Sequence, residues 1–428
     1  MTAIILFGTM IVLLIIGVPI SVSLGAATMA SLLCFDVPMA VVPQRMFTAL
    51  DSVSIMAIPL FVLAGNLMTE GGISRRLVDF CNSIIGNIRG GMGYAMVLAC
   101  AFFAALSGSA PATVLAIGGM LYPDMVRLGY PKERCAGLLT VSGGLGPIIP
   151  PSIIMVVYCT ITNSSVGDMF KGGIVAGLMI SIVLVVICIY YSNKEKWPKN
   201  TERTSVSQLA KHFIHALPAL FLPFVILGGI YSGLMTPTES AAVAVIYSFI
   251  VSVFVYRELH PRDIYRILLA SGKSSAMILF IIATSTAFSW LFTFSGISGQ
   301  LVDAIVAMNL APWMFCLIVA LVLLVFGTFL EGIATCVLLV PVLWPIAQTL
   351  GIGVIHFGMI MCIANVIGCM TPPVGTAMFS VCHILDCPTD DYMKEGMPYL
   401  IAILAEVLLI IFVPQIATGL VTLMYGSC

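Results

Sequence analysis

The stretch best equipped for chemistry is Val141-Ser142-Gly143-Gly144-Leu145-Gly146-Pro147-Ile148-Ile149-Pro150-Pro151-Ser152, three glycines and three prolines inside an apolar segment. Proline has no N–H, and its ring clashes with the carbonyl four residues back. Pro147 therefore removes the helical partner of the Gly143 carbonyl, Pro150 that of Gly146, and Pro151 that of Pro147. Gly368-Cys369-Met370-Thr371-Pro372-Pro373 repeats the device for Gly368 and Cys369. An unpaired carbonyl in hydrocarbon costs several kcal/mol unless protein, water or an ion takes it. Hard cations such as Na⁺ take oxygen ligands. The helices restart near Ser152 and Val374, and their positive N-terminal ends suit an anionic group.

One such break is adequately explained as a proline kink satisfied by its neighbours. Two related breaks, each matched to a hairpin tip rich in Ser, Gly, Ala or Thr, favour paired cation sites. The first is expected near Ser107, Ser109, Gly143, Gly146, Ile148 and Pro150. The second is expected near Gly327, Gly332, Gly368, Met370, Thr371 and Pro373. Backbone carbonyls would be most of the ligands, helped by hydroxyls. Arg45, Ser109, Thr335 and Thr376 are candidates to meet a substrate.

These residues must be positioned inside a membrane. Of 428 residues, 60% are hydrophobic and 9% charged, against about 25% charged in soluble domains. A polar surface cannot be built from that supply, so lipid must cover much of the outside. The net charge of −1 argues against nucleic acid. No cleavable signal peptide is evident, because residues 3–35 are apolar for longer than a signal's hydrophobic region. Apolar segments run at about 3–35, 53–69, 91–121, 136–161, 172–192, 213–234, 240–256, 274–308, 312–348, 354–385 and 398–425. Several exceed the ~20 residues of a straight span and predict breaks or re-entrant hairpins.

Cations cluster at Arg75/Arg76/Arg89, Arg127/Lys132/Arg134, Lys194/Lys196/Lys199/Arg203/Lys211 and Arg257/Arg262/Arg266/Lys273. By the positive-inside rule all four face the cytoplasm. Segment 91–121 lies between the first two, so it enters and leaves on one face as a hairpin, its tip near Leu106-Ser107-Gly108-Ser109-Ala110-Pro111.

The chain also repeats itself. Gly72-Ile73-Ser74-x-x-Leu77-Val78-Asp79 recurs as Gly296-Ile297-Ser298-x-x-Leu301-Val302-Asp303, an offset of 224. Gly146 with Pro150-Pro151 recurs as Gly368 with Pro372-Pro373, offset 222. Asp168-x-x-Lys171-x-Gly173 recurs as Asp391-x-x-Lys394-x-Gly396, offset 223. Residues 72–91 carry three arginines, and their counterpart 296–313 carries none. Span counting puts that counterpart outside, so the halves 1–211 and 212–428 are inverted, an arrangement that places a binding site at the repeat interface. A second hairpin, 312–348 with its tip at 327–335, would enter from the periplasmic side. The N-terminus is expected in the cytoplasm and the C-terminus in the periplasm.

Several residues admit two roles. In Thr236-Pro237-Thr238-Glu239 the pattern fits a capping box opening the next span better than a functional site. Glu331, a lone carboxylate at the second tip, is either a proton or cation partner or a cap. Arg45 is either a contact for an organic anion or partner protein, or an interfacial anchor. The 13 cysteines lack metal spacing and read as small buried hydrophobes. No P-loop, GxSxG or HExxH motif occurs, and none of the 5 histidines falls in a break or tip, so an enzyme is not expected.

The segments GLMTPTESAAVAV (233–245), GGLGPIIPPS (143–152), MAIPLFVLAGNLM (56–68) and GCMTPPVGTAMF (368–379) resemble the large membrane subunit of TRAP transporters, the tripartite ATP-independent periplasmic transporters. The resemblance covers essentially the whole chain. It implies an all-α polytopic membrane protein with an inverted-repeat, elevator-type fold of two re-entrant hairpins and two broken helices. It further implies Na⁺-driven import of an organic acid anion in the bacterial inner membrane. The implied partners are a small four-helix membrane subunit, expected as a separate polypeptide, and a periplasmic substrate-binding protein. A stand-alone elevator-type organic anion symporter driven by Na⁺ or H⁺ and a channel are the rival expectations.

Overall fold

The computed structural model describes residues 2–35, 37–199, 205–372, 375–385 and 387–425. Arg203, Pro373 and Val374, singled out above, lie outside them. Every regular element described is helical. The chain opens with α1 (Thr2–Ile15), α2 (Ile20–Leu32) and α3 (Val41–Leu50). The long first apolar segment is thus two helices turned at Gly17 and packed on each other. At 1.5 Å per residue each is only ~20 Å long, short of a ~30 Å hydrocarbon core.

Next come α4 (Ala57–Glu70) and α5 (Ile73–Ile85), then the first hairpin. Its arms are α6 (Gly91–Ser107) and the continuous run α7 (Ala110–Thr113), a π-helical turn and α8 (Gly119–Arg127). The tip turns at Gly108, whose φ of +61° only glycine adopts without strain. The first broken helix is α9 (Lys132–Gly143) and α10 (Ile153–Thr162), followed by α11 (Val166–Lys194). Then come α12 (Val206–Tyr231), α13 (Pro237–Ile250), α14 (Pro261–Phe294) and α15 (Ile297–Ala307). The second hairpin is α16 (Pro312–Phe329) and α17 (Gly332–Thr349). The second broken helix is α18 (Val354–Gly368) and α19 (Thr376–Leu385), with α20 (Thr389–Phe412) and α21 (Gln415–Tyr425) closing the chain.

The order helix, hairpin, broken helix, long helix therefore occurs twice, over α5–α11 and α15–α20. Gly72 and Gly296 start the two runs in the same left-handed turn, with φ of +75° and +73°. The expected fold class is the one observed. Several boundaries differ, most of all that of α14, which starts at Pro261 rather than near 274 because the Asp263 carboxylate accepts the His260 N–H at 3.0 Å and starts the helix among charged residues; α20 starts at Thr389 rather than near 398, and α12 at Val206 rather than near 213.

Among the described residues, eight helices are long and apolar enough to cross a membrane. Leu178, Ile182 and Val186, one face of α11, are all more than half exposed, as a lipid-facing stripe must be. Eleven of the twelve described cysteines are buried free thiols, as small core residues would be. Thr236 and Glu239 form the expected capping box: Glu239 N–H donates to Thr236 Oγ1 at 3.3 Å and Thr236 N–H to Glu239 at 2.8 Å. Arg134 at the start of α9 pairs with Glu195 after α11 at 2.9 Å and with Glu395 on α20, its guanidinium 3.8 Å over the Tyr191 ring.

Candidate cation and substrate site

Both hairpin tips close on their broken helices. A Cβ on Gly146 would lie 2.6 Å from the Ser109 carbonyl, and one on Gly108 would lie 2.8 Å from that of Pro151. In the second half, a Cβ on Gly368 would lie 2.6 Å from Gly327 Cα, and the Gly375 N–H donates to the Thr328 carbonyl at 2.8 Å. Glycine is required at these crossings because backbone meets backbone.

The tips and breaks surround one cavity of about 210 Å³. Four helix N-termini line it, through Ala110 and Pro111 of α7, Ile153 of α10, Gly332 of α17 and Thr376 of α19. Ser152 caps α10, taking the Met155 N–H at 3.5 Å while its hydroxyl donates to the Pro147 carbonyl. Four positive helix ends facing one space favour an anion. The opposite wall comes from α4 and α14, through Asn66, Thr69, Ser274 and Ile278.

The proline argument needs correction in detail. The Gly143 carbonyl accepts the Gly146 N–H at 3.0 Å, and that of Pro147 accepts Ser152 Oγ. The Gly368 carbonyl accepts the Thr371 N–H and hydroxyl, both at 3.0 Å, and that of Cys369 accepts the Ala377 N–H at 3.0 Å. Only the Gly146 carbonyl has no donor among the described residues. Tighter turns and neighbouring helices take what proline releases; the carbonyls of Gly143 and Pro147, each with one donor, keep a lone pair, whereas that of Gly368, with two, does not.

Of the expected cation ligands, Ser107, Ser109 and Gly332 line the cavity. Gly143 and Gly146 lie behind the first tip, against Val114 and Ser109, and Gly327 and Gly368 cross behind the second. The Ile148 carbonyl packs on Gly173 of α11, and Pro150 is buried in the break. The Met370 carbonyl accepts the Tyr392 hydroxyl at 3.0 Å, and Thr371 faces a separate apolar groove. Of the substrate candidates, Ser109 and Thr376 line the cavity. Thr335 is buried, donating to the Glu331 carbonyl at 3.2 Å. Arg45 is not among the lining residues: it sits on α3, 5.1 Å over the Trp290 ring. Glu331 lines the cavity with its side chain making no cap.

Sequence reading missed Asn365. It is 1% exposed on α18, its amide donating to the Gly332 carbonyl at 2.7 Å while Oδ1 has no partner among the described residues. A lone amide in an apolar span was the available signal. Thr113 was missed as well; its hydroxyl contacts Ser107 Oγ at 2.9 Å and donates to the Ser109 carbonyl at 2.8 Å. Ser142 Oγ is fully buried without a partner among the described residues. An orphaned amide oxygen, an unpaired carbonyl and clustered hydroxyls fit a hard cation. Among the described residues no group of three or more His, Cys, Asp or Glu could hold a metal, so a transition-metal centre has no ligand set there.

Helical hairpins and broken helices converging on one cavity define a polytopic membrane protein of the secondary-transporter class. The chain belongs to the DctM component family of the tripartite ATP-independent periplasmic transporters, whose model matches residues 7–416. It is similar to the C4-dicarboxylate TRAP transporter large permease protein DctM of Rhodobacter capsulatus, 40% identical over 99% of this chain and 100% of the relative. It is also similar to the isethionate TRAP transporter permease protein DctMQ of Oleidesulfovibrio alaskensis, 37% identical over 96% of this chain and 65% of that one. The sialic acid TRAP transporter permease protein SiaT of Haemophilus influenzae is 32% identical over 95% and 66%. In fold it resembles the YdaH transporter of Alcanivorax borkumensis, with a TM-score of 0.63, 14% identity and 88% of each chain covered.

Proposed function

We propose that this chain is the large permease of a tripartite, Na⁺-coupled importer of an organic acid anion in the bacterial inner membrane. The convergence of four helix N-termini on one cavity carries this reading. Ser107, Ser109 and Thr376 sit where they would orient an anion's oxygens. Two cations would be held behind the tips, by Ser107, Ser109, Gly143, Gly146, Ile148 and Pro150, with Thr113, in the first half. In the second half Gly327, Gly332, Gly368, Met370, Thr371 and Pro373 would serve, with Asn365. Bound Na⁺ supplies positive charge that lets the anion leave water. The two halves, 1–211 and 212–428, are inverted, and the hairpins with the broken helices move as an elevator past a scaffold that includes α4 and α14.

A periplasmic binding protein delivers the substrate, and a separate small four-helix subunit completes the membrane part. The four cationic clusters support a cytoplasmic N-terminus and a periplasmic C-terminus; reporter fusions at both ends test this.

Proteoliposomes decide the main reading. With both partners present, an inward Na⁺ gradient drives accumulation of succinate, isethionate or a sugar acid. Omitting the binding protein or the small subunit abolishes it. Accumulation by this chain alone would establish the stand-alone symporter instead, and equilibration without accumulation would establish a channel.

A further inference from the structure

The cavity has two chemically different walls. One is formed by tips and breaks and presents helix N-termini. The other is formed by α4 and α14 and presents neutral polar groups: Asn66, Thr69 and Ser274. No Lys or Arg occurs among the lining residues, and Glu331 is their one charged side chain. Asn66 lines the cavity, and its Nδ2 donates to Ser271 Oγ at 2.8 Å, a bond that leaves the amide oxygen unused. The Thr69 hydroxyl donates to the Gly65 carbonyl at 2.8 Å, so its oxygen is presented as an acceptor. Ser274 is exposed. At about 210 Å³ the cavity is smaller than the ~300–1,000 Å³ pockets of drug-sized ligands.

We propose that α4 and α14 form a second, neutral subsite that reads the tail of a small substrate: its carboxylate is held by the helix ends, and Asn66, Thr69 and Ser274 bond a hydroxyl or carbonyl group beyond it. This rests on the transport reading above. The subsite lies at one end of the scaffold, since Thr69 adjoins Glu70, which pairs with Arg266 of the fourth cationic cluster. A core that slides past the scaffold meets this wall in one position only, so the tail is read on the side of that cluster. A site built to hydrogen-bond a hydroxyl discriminates strongly against the analogue lacking it, because its own polar groups are left unpaired.

The test is equilibrium binding of radiolabelled threonate and butyrate, four-carbon acids with and without hydroxyls, to the full chain in nanodiscs with Na⁺. The wild type binds threonate at least about tenfold tighter. Asn66→Leu cuts that preference about five- to tenfold, the loss of one or two hydrogen bonds, and leaves butyrate affinity unchanged. Ser271→Ala breaks the same α4–α14 hydrogen bond without touching the cavity and keeps the preference. Equal, Na⁺-dependent binding of the two acids by the wild type would overturn the subsite alone. Equal loss in Asn66→Leu and Ser271→Ala would reduce Asn66 to a structural tie and also overturn it. Binding of neither acid would overturn the subsite and count against the transport reading too.

Discussion

The two halves solve one problem with different atoms. In the first, tip and break are locked by backbone: Gly146 beneath Ser109, Gly108 beneath Pro151, and hydroxyls of Ser107 and Thr113 closing the turn. In the second, the glycines Gly327 and Gly368 still cross, but Asn365 reaches over to hold the tip at Gly332 and Glu331 adds a carboxylate at the cavity. A repeat keeps backbone geometry because backbone atoms are the same in every residue. Side-chain chemistry is free to diverge, so polarity and charge at the cavity can differ between the halves while the backbone crossings stay the same.

The comparison can be broken most severely at the first break. Replacing both Pro150 and Pro151 with Ala lets the helix extend through the break. Na⁺-driven uptake in proteoliposomes is expected to fall more than about a hundredfold with membrane insertion intact, whereas retained Na⁺ affinity would discard the break as a cation site. Gly146→Val drives a side chain into the Ser109 carbonyl and should raise half-saturating Na⁺ at least about tenfold, read from Na⁺ titration of uptake. Asn365→Leu removes the unpartnered amide oxygen together with the bond to Gly332 and should raise half-saturating Na⁺ about tenfold, against about twofold for Ser142→Ala; reversal of that order would put the side-chain-dominated site in the first half. Glu331→Gln removes a negative charge beside the anion and should tighten acid binding about twofold, measured by displacement of a labelled acid. Thr236→Ala lies outside both sites and should lower the melting temperature by about 2 °C while leaving Na⁺ and acid affinities alone.

The sequence carried the architecture well, for local reasons. Gly108, the Gly/Pro breaks and the Thr236–Glu239 box act through residues within a turn of themselves, so their types announce their roles. The repeat was legible because Gly72 and Gly296 demand the same left-handed turn. What stayed hidden depends on contacts between distant segments. Asn66 meets Ser271 across 205 positions, and Asn365 meets Gly332 across 33. The carbonyl argument erred for the same reason. Proline forbids one specific donor, but Ala377 and Ser152 supply others that only a folded chain brings near. Arg45 stood out by charge alone, and its position over Trp290 away from the cavity rests on the α3–α14 packing that no motif encodes.

Arg134 has no charged twin in the second half, where Phe357 stands at the equivalent offset. It joins the end of the first long helix, through Glu195, to the beginning of the second, through Glu395. One guanidinium thus works as a rivet between two bodies that share no covalent neighbourhood. Without it, the Glu195 and Glu395 carboxylates would sit close together at that seam with no shared counter-ion, and their repulsion would loosen the contact between the repeats there.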